Sequence, residues 1–199
     1  MKSDYIEKID GVERRYVTGK VELRAEGDKQ YFTGYSAKFG EIADLGWFTE
    51  EIMPGAFDDV MNDDVRALFN HEVEYVLGRR SAGTLDLTVD DIGQRYDALY
   101  NPNDPDHVRV MEKVKRGDVN ESSFAFDVKD AKWSTRNGKD HRQIMKFSRQ
   151  YDVAPVTYPA YPNTTVAARS LEKAKESTGD YKKDLAEMDL DSMRRDLKI

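Results

Sequence analysis

Apolar and polar positions alternate through Val21-Glu22-Leu23-Arg24-Ala25, the pattern of a half-buried strand. Gln30 to Phe39 is an aromatic and β-branched run around Gly34, and the Glu26-Gly27-Asp28 turn joins the two. After Trp47 and Phe48, Pro54 suits the first turn of a helix, so a short helix is predicted over Ala56 to Met61. Strand signals return at Val65 to Phe69, Tyr75 to Gly78, Thr84 to Val89 and Gln94 to Tyr100. Leu85, Leu87 and Val89 alternate with Asp86, Thr88 and Asp90, which predicts one apolar face on an antiparallel sheet with a wet side.

Asn101-Pro102-Asn103-Asp104-Pro105 breaks the strand pattern. A helix is predicted over 105–116, capped by Asp106, carrying Val108, Val110, Met111 and Val114, and stopped by Gly117. Ser122 to Val128 reads as a strand, Trp133 to Asp140 as a polar hairpin loop with Asn137-Gly138 at its tip, and Ile144 to Val153 as the return. Pro155, Pro159 and Pro162 lack the ladder donor, so Pro155 to Pro162 reads as an edge or an extended exit from the core. From about Ala168 the periodicity fails. Leu171, Ala174, Thr178, Tyr181, Leu185 and Met188 keep a helical spacing, but Gly179 interrupts it. A folded body over 1–167 and a charged arm over 168–199, helical or disordered, are the expected organisation.

Composition sharpens this division. The 199 residues exceed one modal domain of roughly 100–150 residues without filling two. Charged residues are 35%, against about 25% in an ordinary domain. The segment 168–199 holds eight basic and eight acidic side chains, so the whole net charge of -7 belongs to the body. That sign argues against a general grip on nucleic acid, which needs Lys and Arg to neutralise phosphates. The absence of Cys excludes disulfides, thiolate metal sites and Cys nucleophiles. No stretch approaches the roughly 18–20 apolar residues of a membrane span, and no apolar core follows Met1-Lys2-Ser3-Asp4-Tyr5. No membrane partner is expected.

Three histidines, His71, His107 and His141, limit the chemistry available. Asn70-His71-Glu72 ends an apolar strand, where side chains become accessible; a histidine there serves structure more often than catalysis. In Glu121-Ser122-Ser123-Phe124-Ala125-Phe126 a hydroxyl is by period alone an ordinary ladder or turn residue. Asp63-Asp64, Asp90-Asp91 and Asp104-Pro105-Asp106 are paired acids with no His-Glu-x-x-His helix, and read as caps and solvated turns. No metal or other cofactor is expected.

Ordered fragments tie these residues together: Gly34-Tyr35-Ser36-Ala37-Lys38-Phe39, Glu51-Ile52-Met53-Pro54-Gly55-Ala56-Phe57, Leu68-Phe69-Asn70-His71-Glu72, Leu77-Gly78-Arg79, Gly117-Asp118-Val119 running into Ser123-Phe124-Ala125-Phe126, and Asp152-Val153-Ala154-Pro155 onward to Pro162. In this order they resemble the prohead (capsid maturation) serine proteases of tailed bacteriophages, which are similar in core to the herpesvirus assembly proteases. The resemblance implies a mainly β, α+β fold: an antiparallel, partly closed β-barrel with peripheral helices. It also implies Ser123 as nucleophile, His71 as general base and Asp152 as the group that orients His71. Ala125 and Ala154 are mild departures from the residues usual in the family. His141, His107, Glu72 or a simple dyad remain rivals for the third role, because the herpesvirus relatives use a second histidine.

The resemblance further implies an endopeptidase in the host cytoplasm, inside the assembling procapsid. Its substrates would be the major capsid protein, scaffolding segments and its own chain, and it would associate as a homodimer or higher oligomer. A different class, a non-catalytic scaffold- or capsid-binding module on the same fold, stays open at this point, since residue types carry no geometry.

Overall fold

The alternating segments fold into eleven strands and one α-helix among the residues described by a computed structural model, namely 12–17, 21–46 and 48–158. These fall in the first of two units of the chain, Met1–Pro162; the second, Asn163–Ile199, and with it the predicted arm, lies outside the described residues. The larger sheet runs β1 (Glu13–Val17), β10 (Glu121–Arg136), β11 (Lys139–Val156), β5 (Thr49–Ile52), β4 (Ala43–Asp44), and β6 (Arg66–Leu68) joins it through β11 and carries β7 (Val76–Arg79). The smaller sheet runs β2 (Glu22–Glu26), β3 (Lys29–Lys38), β9 (Gly93–Leu99), β8 (Leu85–Val89). Helix α1 spans Pro105–Arg116.

The class is mainly β, as the pattern predicts, but two architectural expectations need correction. Neither sheet closes on itself into a barrel; an isolated bridge between Phe39 and Ile52 links the two. Nor is pairing wholly antiparallel, because β5 and β6 both lie parallel to β11, at Thr49 to Ile52 against His141 to Ile144 and at Arg66-Ala67 against Asp152-Val153. The length of β11 makes this possible: one 18-residue strand offers separate stretches of edge to two short strands.

Several local predictions also shift. The segment after Pro54 is a chain of turns rather than a helix: Gly55 takes φ +86, and the Ala56 carbonyl accepts the Phe147 N–H at 3.0 Å instead of a helical partner. The peripheral helices reduce to α1 among the described residues. Its cap is Asp104, which accepts the Asp106 N–H at 2.9 Å, because Pro105 holds the first helical position. Trp133 to Arg136 and Lys139 to Asp140 are ladder, leaving only Asn137-Gly138 as the turn. The reason is tertiary: Trp133 meets the Phe48 ring edge-on at 5.0 Å, and the Arg142 guanidinium covers both rings. Val89 is exposed at the outer end of an edge strand, whereas Leu85 and Leu87 are buried.

Phe124 and Phe126 stack at 4.6 Å, and Phe147 meets Phe126 at 4.8 Å and Phe57 at 4.7 Å. All four rings are fully buried, and at roughly 1.5–3 kcal/mol per buried side chain they anchor β10 and β11 to the core. The two strands therefore form a rigid base for what lies on their other face.

Candidate active site

Cross-strand register on β10 and β11 brings the site together. Ser123 pairs with Ala154 and Ala125 with Asp152, so these four side chains share one face. Ser123 and Asp152 are thus diagonal neighbours, about 7–8 Å apart at the backbone by sheet geometry. An imidazole lying over the face can bridge that gap, and the methyl side chains of Ala125 and Ala154 leave it room. Past Asp152 the register slips: Ala125 pairs with Asp152 but Phe126 with Gln150, so Tyr151 is the extra residue of a bulge. The Tyr151 hydroxyl donates to Asp127 at 2.6 Å, and burial together with Asp127 pushes its pKa up to about 12.

His71 reaches this face from the end of β6, which runs parallel to β11 at Arg66 and Ala67. Asn70 and His71 both take left-handed backbone, φ 54 and 61. Such conformations are uncommon outside glycine, and asparagine accepts them more readily than most residues. The turn is held to the end of β11: the Asn70 N–H donates to the Pro155 carbonyl at 3.0 Å, and its Oδ1 accepts the Thr157 N–H at 2.8 Å. In this pose His71 Nδ1 lies 2.6 Å from Asp152 Oδ1, and Nε2 lies 2.7 Å from Ser123 Oγ. Asp152 is an acceptor, so Nδ1 carries the proton, which leaves Nε2 of the neutral ring free to accept from Ser123.

The rival residues are engaged elsewhere. His141, expected in a solvated loop, is buried within β11, with Nδ1 2.8 Å from Thr49 Oγ1 and Nε2 3.1 Å from Glu51 Oε1. The tight turn moved it into the ladder. His107 is buried on α1; its Nδ1 accepts the Asn101 N–H and its Nε2 donates to the Val76 carbonyl. Glu72 is exposed. Ser122 points away from His71, its hydroxyl 3.0 Å from Tyr96 OH, and burial holds the Tyr96 phenol well above its usual pKa.

The paired acids serve the backbone and ion pairs. Asp63 accepts the Gln150 N–H, Asp90 accepts the Ile92 and Gly93 N–H groups, and Asp104 caps α1. Asp64 pairs with Arg79 and accepts the Ser81 N–H, which hold its carboxyl well below the usual range. No cluster able to hold a metal occurs among the described residues.

Two features escaped the reading of the sequence. Beside β10, the Arg15 carbonyl lies 2.9 Å from Ser123 Oγ. On the other face of β1, Arg15 and Glu13 join Glu50 and Arg142 in a buried ion cluster: Arg15 Nε to Glu50 Oε1 is 2.5 Å, Arg15 Nη2 to Glu13 Oε2 2.6 Å, and Arg142 Nη1 to Glu13 Oε1 3.1 Å. Burial pushes the Glu50 carboxyl up, but the two guanidiniums outweigh it and hold the pKa below its ordinary value. Nothing in local periodicity signals either feature, because apart from the Glu13–Arg15 pair the partners are 35 to 129 residues apart.

A hydroxyl, an imidazole and a carboxylate hydrogen-bonded in series are the arrangement by which serine hydrolases activate a weak nucleophile. A family model described as caudovirus prohead serine protease matches residues 19–177, and the chain belongs to that family. It is a serine protease of phage capsid maturation, acting on capsid proteins in the assembling procapsid. No curated protein and no solved structure matches the chain. Among the described residues no helix is long and apolar enough to cross a membrane.

Proposed function

We propose that the chain is the endopeptidase that trims scaffolding segments or capsid-subunit extensions during head maturation, with Ser123 as nucleophile, His71 as general base and Asp152 as the group that fixes the imidazole. The observation that carries this reading is the continuous series Asp152–His71–Ser123, with both contacts at hydrogen-bond distance. Ser123 Oγ forms a bond to the scissile carbonyl carbon while its proton passes to His71 Nε2. Collapse of the tetrahedral intermediate breaks the carbon–nitrogen bond, and His71 returns the proton to the leaving amine. Water, deprotonated by the same imidazole, then hydrolyses the acyl-enzyme and regenerates the serine. Asp152 keeps the proton on Nδ1 and stabilises the imidazolium that forms in each half.

We assign the catalytic body to residues 1–167 and an assembly or self-cleavage role to 168–199, noting that the family match extends to residue 177. The family's place in capsid maturation supports the substrates and the action inside the host cell, and a homodimer or larger assembly is part of the same proposal. Fluorophosphonate labelling tests the chemistry. Wild type and Ser122→Ala should label; Ser123→Ala and His71→Ala should not. Labelling lost in Ser122→Ala and kept in Ser123→Ala would overturn the assignment.

A further inference from the structure

We propose that the edge of β10 away from β11, beside Ser123, is where substrate strands bind, and that β1 already occupies it as a substrate would. Arg15 stands in the place of the residue preceding the cleaved bond, and the recess at Glu50 makes the enzyme prefer arginine there. This rests on Ser123 being the nucleophile.

β1 lies antiparallel on β10 from Glu13 opposite Phe126 to Val17 opposite Ser122. That is the geometry of an extended peptide added to a sheet edge, where main-chain bonds hold the strand and alternate side chains select it. The Arg15 carbonyl lies 2.9 Å from Ser123 Oγ, so it is a peptide carbonyl held against the attacking atom. A serine hydroxyl has one proton. The Arg15 carbonyl therefore competes with His71 for it. Ser123 is fully buried, at 0% exposure, so no second carbonyl reaches Oγ while β1 stays in place.

The Arg15 side chain leaves the opposite side of β1 and, with Glu50, Ile52 and Phe124, lines a cavity of about 240 Å³. Its guanidinium lies 2.5 and 3.2 Å from the two Glu50 oxygens and 5.5 Å from the Phe126 ring centre. Planar, bidentate recognition of this kind favours arginine over lysine.

The ion cluster divides evenly between β1 and the body. β1 brings Glu13 and Arg15; the body keeps Glu50 and Arg142, joined at 2.5 Å from Arg142 Nε. Each half is neutral, so departure of β1 strands no charge; an incoming arginine at the same place restores the contacts to Glu50, and an acidic residue two positions before it restores those to Arg142. A strand that only completed the sheet needs neither the carbonyl at Oγ nor this partition. The family match begins at residue 19, after β1.

Two measurements on the full-length protein decide the matter. The first compares two synthetic peptides of residues 9–20, one native and one with alanine in place of Arg15. The native peptide should be cut after Arg15 and not after Arg14, with kcat/KM at least about tenfold above the alanine peptide, the least expected from losing a buried charge pair. The second measures fluorophosphonate labelling of Glu13→Ala/Arg15→Ala, checked for folding by thermal melt. Its rate should exceed that of wild type by about tenfold or more, since β1 no longer holds the edge. If the double variant fails to fold, the peptide pair decides alone. Equal cleavage of both peptides with equal labelling rates would overturn this proposal and leave the nucleophile intact. Labelling absent from every form would instead remove Ser123 as nucleophile.

Discussion

Ser122 and Ser123 are adjacent on one strand, yet their hydroxyls belong to different parts of the molecule: Ser122 Oγ meets Tyr96 OH at 3.0 Å, and Ser123 Oγ meets His71 Nε2 at 2.7 Å. Period-two alternation sends them to opposite faces, one toward the smaller sheet and the other toward the imidazole. The smaller sheet thereby sets the orientation of β10 from behind.

Gly34 is where this support is tightest. A Cβ there would stand 2.8 Å from Ser122 Oγ and 3.1 Å from Tyr96 OH. Gly34→Ala should cost about 1–3 kcal/mol by overpacking, read as a lower unfolding midpoint in urea. Labelling of Ser123 should slow as well, because the strand that carries it must shift.

On the proposed mechanism Asp152, 2.6 Å from His71 Nδ1, fixes the imidazole, so Asp152→Asn should preserve the fold and lower kcat by about 10⁴, the loss expected when the imidazole takes the wrong tautomer. The measurement is peptide hydrolysis under saturating substrate, with circular dichroism as the control for folding. His141→Gln should leave phosphonate labelling close to that of wild type, since His141 is held by Thr49 and Glu51. A labelling defect in His141→Gln equal to that in Asp152→Asn would return His141 to the third role.

Asn70 carries a left-handed backbone and a side-chain bond to the Thr157 N–H. Asn70→Gly keeps the backbone and loses the bond, at a cost of about 0.5–1.5 kcal/mol. Asn70→Ala loses the bond and also strains the turn, adding about 1 kcal/mol or more. The order asparagine, glycine, alanine in both melting temperature and labelling rate is the expected result.

Acid should weaken the fold through Glu50. Its folded pKa lies below the ordinary 4.5, so its stabilising contribution is complete above about pH 4.5 and is lost as the pH falls through the lower folded value. Unfolding midpoints measured from pH 7 to pH 3 should drop along this limb. Glu50→Gln should begin less stable by about 3–5 kcal/mol, the cost of breaking a buried pair, and show a shallower acid limb.

Much of the larger design is written in local sequence. Alternation placed the strands of the smaller sheet and their turn at Gly27-Asp28, and the Pro105 and Gly117 punctuation bounded α1 to the residue. These signals are short-range: side-chain period, fixed proline φ and the left-handed freedom of glycine. The loop predicted over Trp133 to Asp140 failed because its polarity suits water, while the stacking that keeps it in the ladder comes from Phe48, 85 residues away in the chain. The helix predicted over Ala56 to Met61 failed for a similar reason, since the Ala56 carbonyl is claimed by Phe147.

The sequence by itself determined that the chain is mainly β, that cysteine chemistry is absent, and that His71, Ser123 and Asp152 stand in the order of a known protease family. Only the tertiary structure decided that these three side chains meet, because their contacts close loops of 52 and 81 residues through the register of β10, β11 and β6. It also decided that His141 is occupied by Thr49 and Glu51, and that β1 lies against Ser123. Side-chain period reports which way a residue faces on its own strand. Which partner waits on that face is set by long-range pairing, which leaves no local mark.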